Sequence, residues 1–316
     1  MISKPKVVAL GGGHGLAATL TALRGVTENI TAVVTVADNG GSSGRLRAEF
    51  PIMPPGDLRM ALAALCGDDA WGRDWADIMQ YRFTSDGPMN GHALGNLLLA
   101  ALWDRDEDVV VGLDRVAALL KVVGRVLPMS AEPLDIEATF DNDGTLIEAI
   151  GQVAVATTAG RLVELRLTPE NPTARPEVLD AISNADLITM GPGSWFSSVL
   201  PHLLVPALRE AIVTSPAKKL LLLNLDSNKD QAKVGEYAGY SPIEHCEILR
   251  RYAPDLHFDF VVGDSHLNGS QALAEYLQAQ GSAYIEGDLR GAAHPIHHDG
   301  RKLTSIFAHI AREMLV

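Results

Sequence analysis

Only two of the 316 residues are cysteine, Cys66 and Cys246. They lie far apart and outside any metal-ligand spacing, so neither a disulfide framework nor a zinc site is expected, and a reducing compartment fits. Both are expected as small buried apolar residues. Basic charge is also scarce: 26 Lys and Arg stand against 39 Asp and Glu, a formal net charge of −13 with a pI near 5.2. The field of such a molecule repels a polyanion, which excludes general nucleic-acid binding and leaves any phosphate to be met by a local site. No run approaches eighteen uninterrupted apolar residues, and the apolar stretch behind the N-terminus is too short for a signal peptide. Membrane insertion is therefore not expected and a cytoplasmic location is. No Cys–His pairing is evident, so cysteine hydrolase chemistry has no support. Internal repeats, low-complexity tracts and flexible linkers are missing too.

What is present reads as an α/β chain. Val7 to Leu10 is a short apolar run expected as a buried strand, and the spacing from Leu16 to Leu23 predicts a helix after the GGGHG turn. Thr31 to Ala37 (TAVVTVA) is β-branched and predicts the second strand of a βαβ opening. DNGGSSGRLR then reads as a loop, followed by PIMPPGD and an apolar helix, DLRMALAALCG, which Asp57 is placed to cap. Helical periodicity continues to Val122. Between Val126 and Leu167, LDIEATF and TLIEAI around a DNDG turn predict a β-hairpin meander. From Pro176 on, helix and strand alternate again, with DLITM, KLLLLNL, HFDFVV and SAYIEG as strands. The expected architecture is a Rossmann-like, mostly parallel sheet from 1–66 and 176–290, a helical insert over 67–125 and a small β-hairpin appendage over 126–167, in a single interrupted α/β domain.

Three glycine-rich segments carry the chemistry. GGGHGLAA contains G-x-G-x-x-A at Gly13, Gly15 and Ala18, at a strand-to-helix junction where glycines let backbone N–H groups approach a phosphate and the helix N-terminus adds partial positive charge. A tight turn with no ligand is the plain alternative. Asp38 stands twenty residues beyond Ala18, where a dinucleotide-binding fold puts the acid that holds a ribose hydroxyl, which keeps a nicotinamide dehydrogenase in play. The stretch from Asn39 to Arg47 is rich in glycine and hydroxyls and ends in two arginines, suited to wrapping an anion or else to a solvated loop. Gly191, Pro192, Gly193 and Ser194 form the third segment at the end of another strand. Together the three predict a phosphate-bearing ligand across the crevice. Asp57 and His92 also suit simple helix caps, and Asn96, entering an apolar helix, needs a hydrogen-bond partner that a ligand can supply. His294, His297, His298 and Asp299 lack the spacing of a metal site and read as a solvated tail.

Taken together, GGGHG, VTVADNGGSSGRLR, PPGDLR, YRF, GHALGNLLLAAL, GRVLP, GPGSWFSSVLPHLLVP, NLDSN, GEYAGYSPIEH and HDGRKL, from Gly11 to about Leu303, resemble the YvcK branch of the YvcK/CofD family. The resemblance implies a Rossmann-like core that binds UDP-sugars such as UDP-N-acetylglucosamine or UDP-glucose, without turnover, in a protein needed for gluconeogenic growth, cell shape and cell-wall precursor supply. It implies no required cofactor and an unidentified regulatory protein partner, and the acidic surface suits a small symmetric homo-oligomer. The sister CofD branch is a magnesium-dependent transferase that moves phospholactate from a guanylylated donor to a deazaflavin, and it is the enzyme alternative. Two positions and one segment depart from the family pattern. Asn39 stands where two consecutive acids are usual, and a carboxamide is a poor ligand for a divalent cation, which disfavours Mg2+. His14 stands where many relatives carry a small hydroxyl residue, and Asp226 to Val234 departs as well. On this basis Gly12, Gly13, His14 and Gly15, with Asn39, Gly40, Gly41, Ser42 and Ser43, are expected to hold the phosphates. Gly191, Pro192, Gly193 and Ser194 are expected to line the opposite wall, and Arg45 to make a charge-assisted contact. By family position, Asp38, Asp57, His92, Asn96 and Tyr240 are candidates for sugar, ribose or base contacts.

Overall fold

A computed structural model describes residues 4–106, 108–225, 240–267, 269–291 and 297–314. The chain opens with β1 (Val7–Gly11), α1 (Gly13–Leu23), β2 (Ile30–Val34) and α2 (Gly41–Glu49). Four helices follow, α3 (Pro55–Ala64), α4 (Ala70–Gln80), α5 (Leu94–Asp106) and α6 (Val109–Leu120), leading to β3 (Arg125–Pro128). Next come β4 (Asp135–Asn142), β5 (Thr145–Ile150), α7 (Gln152–Thr157) and β6 (Arg161–Thr168). The remainder alternates: α8 (Pro176–Ser183), β7 (Leu187–Met190), a π-helical turn over Trp195–Val199, α9 (Pro201–Leu204), α10 (Pro206–Thr214) and β8 (Lys218–Leu222). It closes with α11 (Pro242–Tyr252), β9 (Phe260–Asp264), α12 (Ser270–Ala279), β10 (Ala283–Gly287) and α13 (Gly300–Glu313).

Seven strands pair, all parallel, in the order β10-β9-β8-β7-β1-β2-β3. Chain order runs outward from β1 on one side and from β7 on the other, so the direction of winding reverses between these two central strands. Every residue of β1 is buried, as a strand covered by helices on both faces requires. β1 registers Val7 with Leu187 and Leu10 with Met190. Gly11 and Gly191 therefore stand side by side at the sheet's carboxyl edge, at the switch point where ligands bind in open α/β sheets. No helix among the described residues is long and apolar enough to cross a membrane.

The appendage is a three-stranded antiparallel sheet in the order β5-β4-β6. In β4, buried Ile136, Ala138 and Phe140 alternate with the half-buried Glu137, Thr139 and Asp141, the period of a sheet with one covered face. Phe140 meets Phe196 at 5.9 Å between ring centroids and joins the small sheet to the π-helical turn.

The Rossmann-like α/β expectation holds, and both cysteines are buried. Three local expectations do not. Arg125–Pro128 is the edge strand of the parallel sheet rather than part of the hairpin appendage. The second strand stops at Val34, and Thr35 to Ala37 continue buried beyond it, with Thr35 N–H bonded to the Gly11 carbonyl at 2.9 Å. DNGGSSGRLR is not a loop throughout: from Gly41 it is helical, with Gly40 as N-cap and Leu46 buried as its anchor.

Candidate functional site

The first loop is shaped by what presses on it. Gly12 is the N-cap of α1 and has no side chain to cap it, while the Asp57 carboxyl bonds to the backbone of Gly13 in the first turn. An ideal Cβ on Gly12 would lie 2.5 Å from both Asp57 Oδ2 and Thr35 Cγ2, so only glycine fits between them. On Gly15 a Cβ would lie 2.6 Å from the Pro192 carbonyl carbon and 2.9 Å from Gly193 Cα, closer still to the Pro192 oxygen. The first and third glycine segments are thus in backbone contact. Gly15 serves that contact, which a phosphate-loop reading of the motif does not anticipate.

The third segment forms the opposite wall but has few donors to offer. Gly193 N–H donates to Asn224 Oδ1 at 2.9 Å, and Asn224 Nδ2 returns a bond to the Gly193 carbonyl at 2.8 Å. Ser194 Oγ accepts from Ser197 N–H at 3.1 Å and lies 2.5 Å from the Ser197 hydroxyl, capping the π-helical turn. Pro192 has no N–H. The segment's principal contribution is shape.

The second segment starts a helix with no side-chain cap, α2. Asp38 Oδ1 accepts from Gly40 N–H at 2.8 Å, and Ser43 Oγ accepts from Gly56 N–H at 3.0 Å, which fastens α2 to the start of α3. Ser42 is a buried hub: its Oγ lies 3.0 Å from His92 Nδ1, accepts from Asn96 Nδ2 at 3.0 Å and is reached by Ala93 N–H at 3.4 Å. Burial, followed by the Arg45 charge, holds His92 below the ordinary imidazole pKa, so the ring is neutral and its Nδ1 can accept the Ser42 proton. Asn96 finds this partner within the protein, while its Oδ1 is buried with none among the described residues. Arg45 is exposed and donates to the Pro88 and Asn90 carbonyls at 3.0 and 2.9 Å, which commits its guanidinium to the 88–90 loop. The Asn39 amide lies against the Gly151 backbone ahead of α7.

Asp57 is not the cap of α3: Pro54 is the N-cap, and Asp57 stands in the first turn facing Gly12 and Gly13. Burial, then the Asp38 charge, push its carboxyl up to about 7 against the pull of the Gly13 backbone and Arg59. Arg59, one residue beyond Leu58, is the functional candidate that sequence reading missed. It is 2% exposed, and its Nε and Nη1 have no hydrogen-bond partner among the described residues. Burial and Arg82 lower its pKa to about 10, while Asp57 and Asp38 oppose that shift. Partial desolvation, then His297, Arg59 and Arg82, also hold His14 below its ordinary value. Asp38, Asp57, Arg59, Arg82, His14 and His297 therefore share one electrostatic neighbourhood around the start of α1. The available signal was a charge inside an apolar run: Leu58, Met60, Ala61 and Leu62 around Arg59 are all buried.

Two assignments fall elsewhere. Tyr240 is buried, its hydroxyl accepting from Leu162 N–H at 2.6 Å and its ring packed on Phe196 and His245, so it ties the appendage to the body. The histidine segment is not a solvated tail. His298 is half-buried with a pKa lowered to about 4, chiefly by burial, Asp299 caps α13, and the His297 ring lies 6.1 Å from His14. His294 and Asp226 to Val234 lie outside the described residues. For a cation, Asp38 and Asp57 are the crevice carboxylates whose mutual repulsion a divalent ion would relieve. The more distant Asp264, His266 and Asp288 cluster already has Arg290 3.0 Å from Asp264 and Lys302 2.6 Å from Asp288.

Comparison with known proteins places this geometry in a family. The family described as 2-phospho-L-lactate transferase CofD matches residues 7–307. A putative gluconeogenesis factor of Mycobacterium tuberculosis is 44% identical over 317 residues, 98% of this chain and 91% of that protein. The gluconeogenesis factor of Bacillus subtilis is 34% identical over 328 residues, 99% of this chain and all of that one. A solved structure of a UPF0052 family member from Bacillus halodurans superposes with a TM-score of 0.83 at 32% identity, covering 100% of both chains.

Proposed function

The chain belongs to the CofD family, and on that premise we propose that it binds a nucleotide sugar, UDP-N-acetylglucosamine or UDP-glucose, as a regulatory protein rather than as a catalyst. The observation that carries this reading is the backbone contact of Gly15 with Pro192 and Gly193. It joins the two walls of the crevice between β1 and β7 at the switch point, beneath the N-terminus of α1. A ligand with an anionic centre and polar flanks suits a site that has helix N-termini and buried amides; the Ser42–His92 pair, 3.0 Å apart, is buried and its hydroxyl is shared with Asn96 Nδ2 and Ala93 N–H. The buried, unpartnered Asn96 Oδ1 gives one acceptor for a hydroxyl or N–H of the ligand. The name of the relatives supports a role in growth on gluconeogenic carbon sources. Effects on cell shape and wall precursors, a protein partner, assembly into a small homo-oligomer and a cytoplasmic setting belong to the same proposal.

One observation favours a second reading. Asp38 and Asp57, far apart in sequence, face the same crevice and repel each other, and such an acid pair suits a magnesium-assisted transferase of the CofD type. Asn39 counts against it, its amide being turned onto Gly151. A dehydrogenase is less favoured, because the Asp38 carboxylate is bonded to Gly40 N–H and packed toward Gly56. Calorimetric titration with UDP-N-acetylglucosamine, UDP-glucose, GDP and NAD, each with and without magnesium, separates the readings. Metal-independent binding of a UDP-sugar alone is expected; magnesium-dependent GDP binding or NAD binding would replace the proposal.

A further inference from the structure

Arg59 has no structural employment that accounts for its position. Its stem passes Gly95, where a Cβ would lie 2.8 Å from Arg59 Cγ, so α5 is notched to admit it. Yet the guanidinium it delivers is buried with Nε and Nη1 unpaired, and no ion pair of Arg59 occurs among the described residues. Burying a charge without partners costs several kcal/mol, and replacing such a group by an apolar one of similar volume is commonly neutral or stabilising. Arg82 stands near enough to oppose the Arg59 charge. Arg59 and Arg82 lie together near the start of α1, where Asp57 and Asp38 offset part of the Arg59 charge.

We propose that Arg59, with Arg82 beside it and the N-terminus of α1 across from it, is the seat of a diphosphate group in the crevice ligand. The identity of that ligand as a nucleotide sugar rests on the reading above; the anion seat does not. A planar guanidinium offers parallel N–H donors to phosphoryl oxygens, and a second cation beside it favours a ligand with two linked anionic groups over one. Arg45, the arginine that sequence singles out, is secured to two backbone carbonyls at the surface. The seat accordingly lies inside the crevice.

The test uses the intact chain with inorganic pyrophosphate, inorganic phosphate and UDP-N-acetylglucosamine as probes, and the variants Arg59→Met and Arg59→Lys. The expected result is that wild type binds pyrophosphate more tightly than phosphate. Arg59→Met should weaken pyrophosphate at least about tenfold, the loss of one charge-assisted contact, while melting at or above the wild-type temperature without ligand. Arg59→Lys, which keeps the charge but not the fork, should fall between the two and also covers a Met variant that does not fold. A folded Arg59 variant with unchanged pyrophosphate affinity overturns the seat, as does wild type that ignores pyrophosphate. Pyrophosphate bound through Arg59 without UDP-sugar binding supports the seat and removes the nucleotide-sugar reading. UDP-sugar bound equally by wild type and both variants does the reverse.

Discussion

Substituting Gly15 by alanine tests whether the two glycine segments brace each other. The added Cβ would lie 2.6 Å from the Pro192 carbonyl carbon and 2.9 Å from Gly193 Cα. Carbon–carbon contact requires about 3.5 Å or more, so the segments must part by roughly 1 Å. Neither can yield freely, since the obstructing atoms are main chain and Gly193 is held by Asn224 through bonds of 2.9 and 2.8 Å. Overpacking of this kind costs about 1–3 kcal/mol, and loss of the two Asn224 bonds about 1 kcal/mol each, so a destabilisation of roughly 3–5 kcal/mol is expected. Gly41→Ala is the control: nothing lies within 4 Å of its Cβ, and its φ of +49° leaves only a left-handed strain of about 1–2 kcal/mol. Urea unfolding of both variants measures the difference. A Gly15→Ala protein within 1 kcal/mol of wild type would refute the bracing argument.

Asp57, raised to about 7 in the folded protein from an ordinary 3.8, makes the folded state bind an extra proton between those values. Stability from this group is full below pH 4 and is lost as pH rises to about 7. Buried His202 and His245 and half-buried His298, lowered to about 4, pull the opposite way in the same window. The stability of Asp57→Asn minus that of wild type isolates Asp57 and should grow with pH from 4 to 7 in urea titrations. Arg45→Ala should weaken ligand binding by less than about threefold in calorimetry, because its guanidinium serves the 88–90 loop. Tyr240→Phe removes the acceptor for Leu162 N–H and should cost about 1–3 kcal/mol by chemical unfolding, with ligand affinity unchanged.

The parallel sheet was legible because Val7 to Leu10, KLLLLNL and HFDFVV are apolar runs bounded by glycine, proline or polar turns, and buried parallel strands show that pattern. The site was legible in its glycines but less so in its charges. Arg45 attracted attention by standing beside glycines and serines, whereas its partners are carbonyls more than forty residues away. Arg59 looked like an ordinary polar position on a helix, since only the packing of α3 against α5 and the first loop shows that this face is buried. The helical state of Gly41–Glu49 was hidden for a related reason: glycine and serine disfavour helix intrinsically, and tertiary anchoring through Leu46, Ser42 and Ser43 overrides that preference. The appendage alternation read correctly, but Arg125–Pro128 is too short to reveal which sheet it joins.

The most direct measurement is a crystal structure of the protein with UDP-N-acetylglucosamine. The account predicts the diphosphate between the N-terminus of α1 and Arg59, with Pro192 and Gly193 forming the facing wall. A nucleotide seated elsewhere, with the α1 N-terminus and Arg59 untouched, would contradict it.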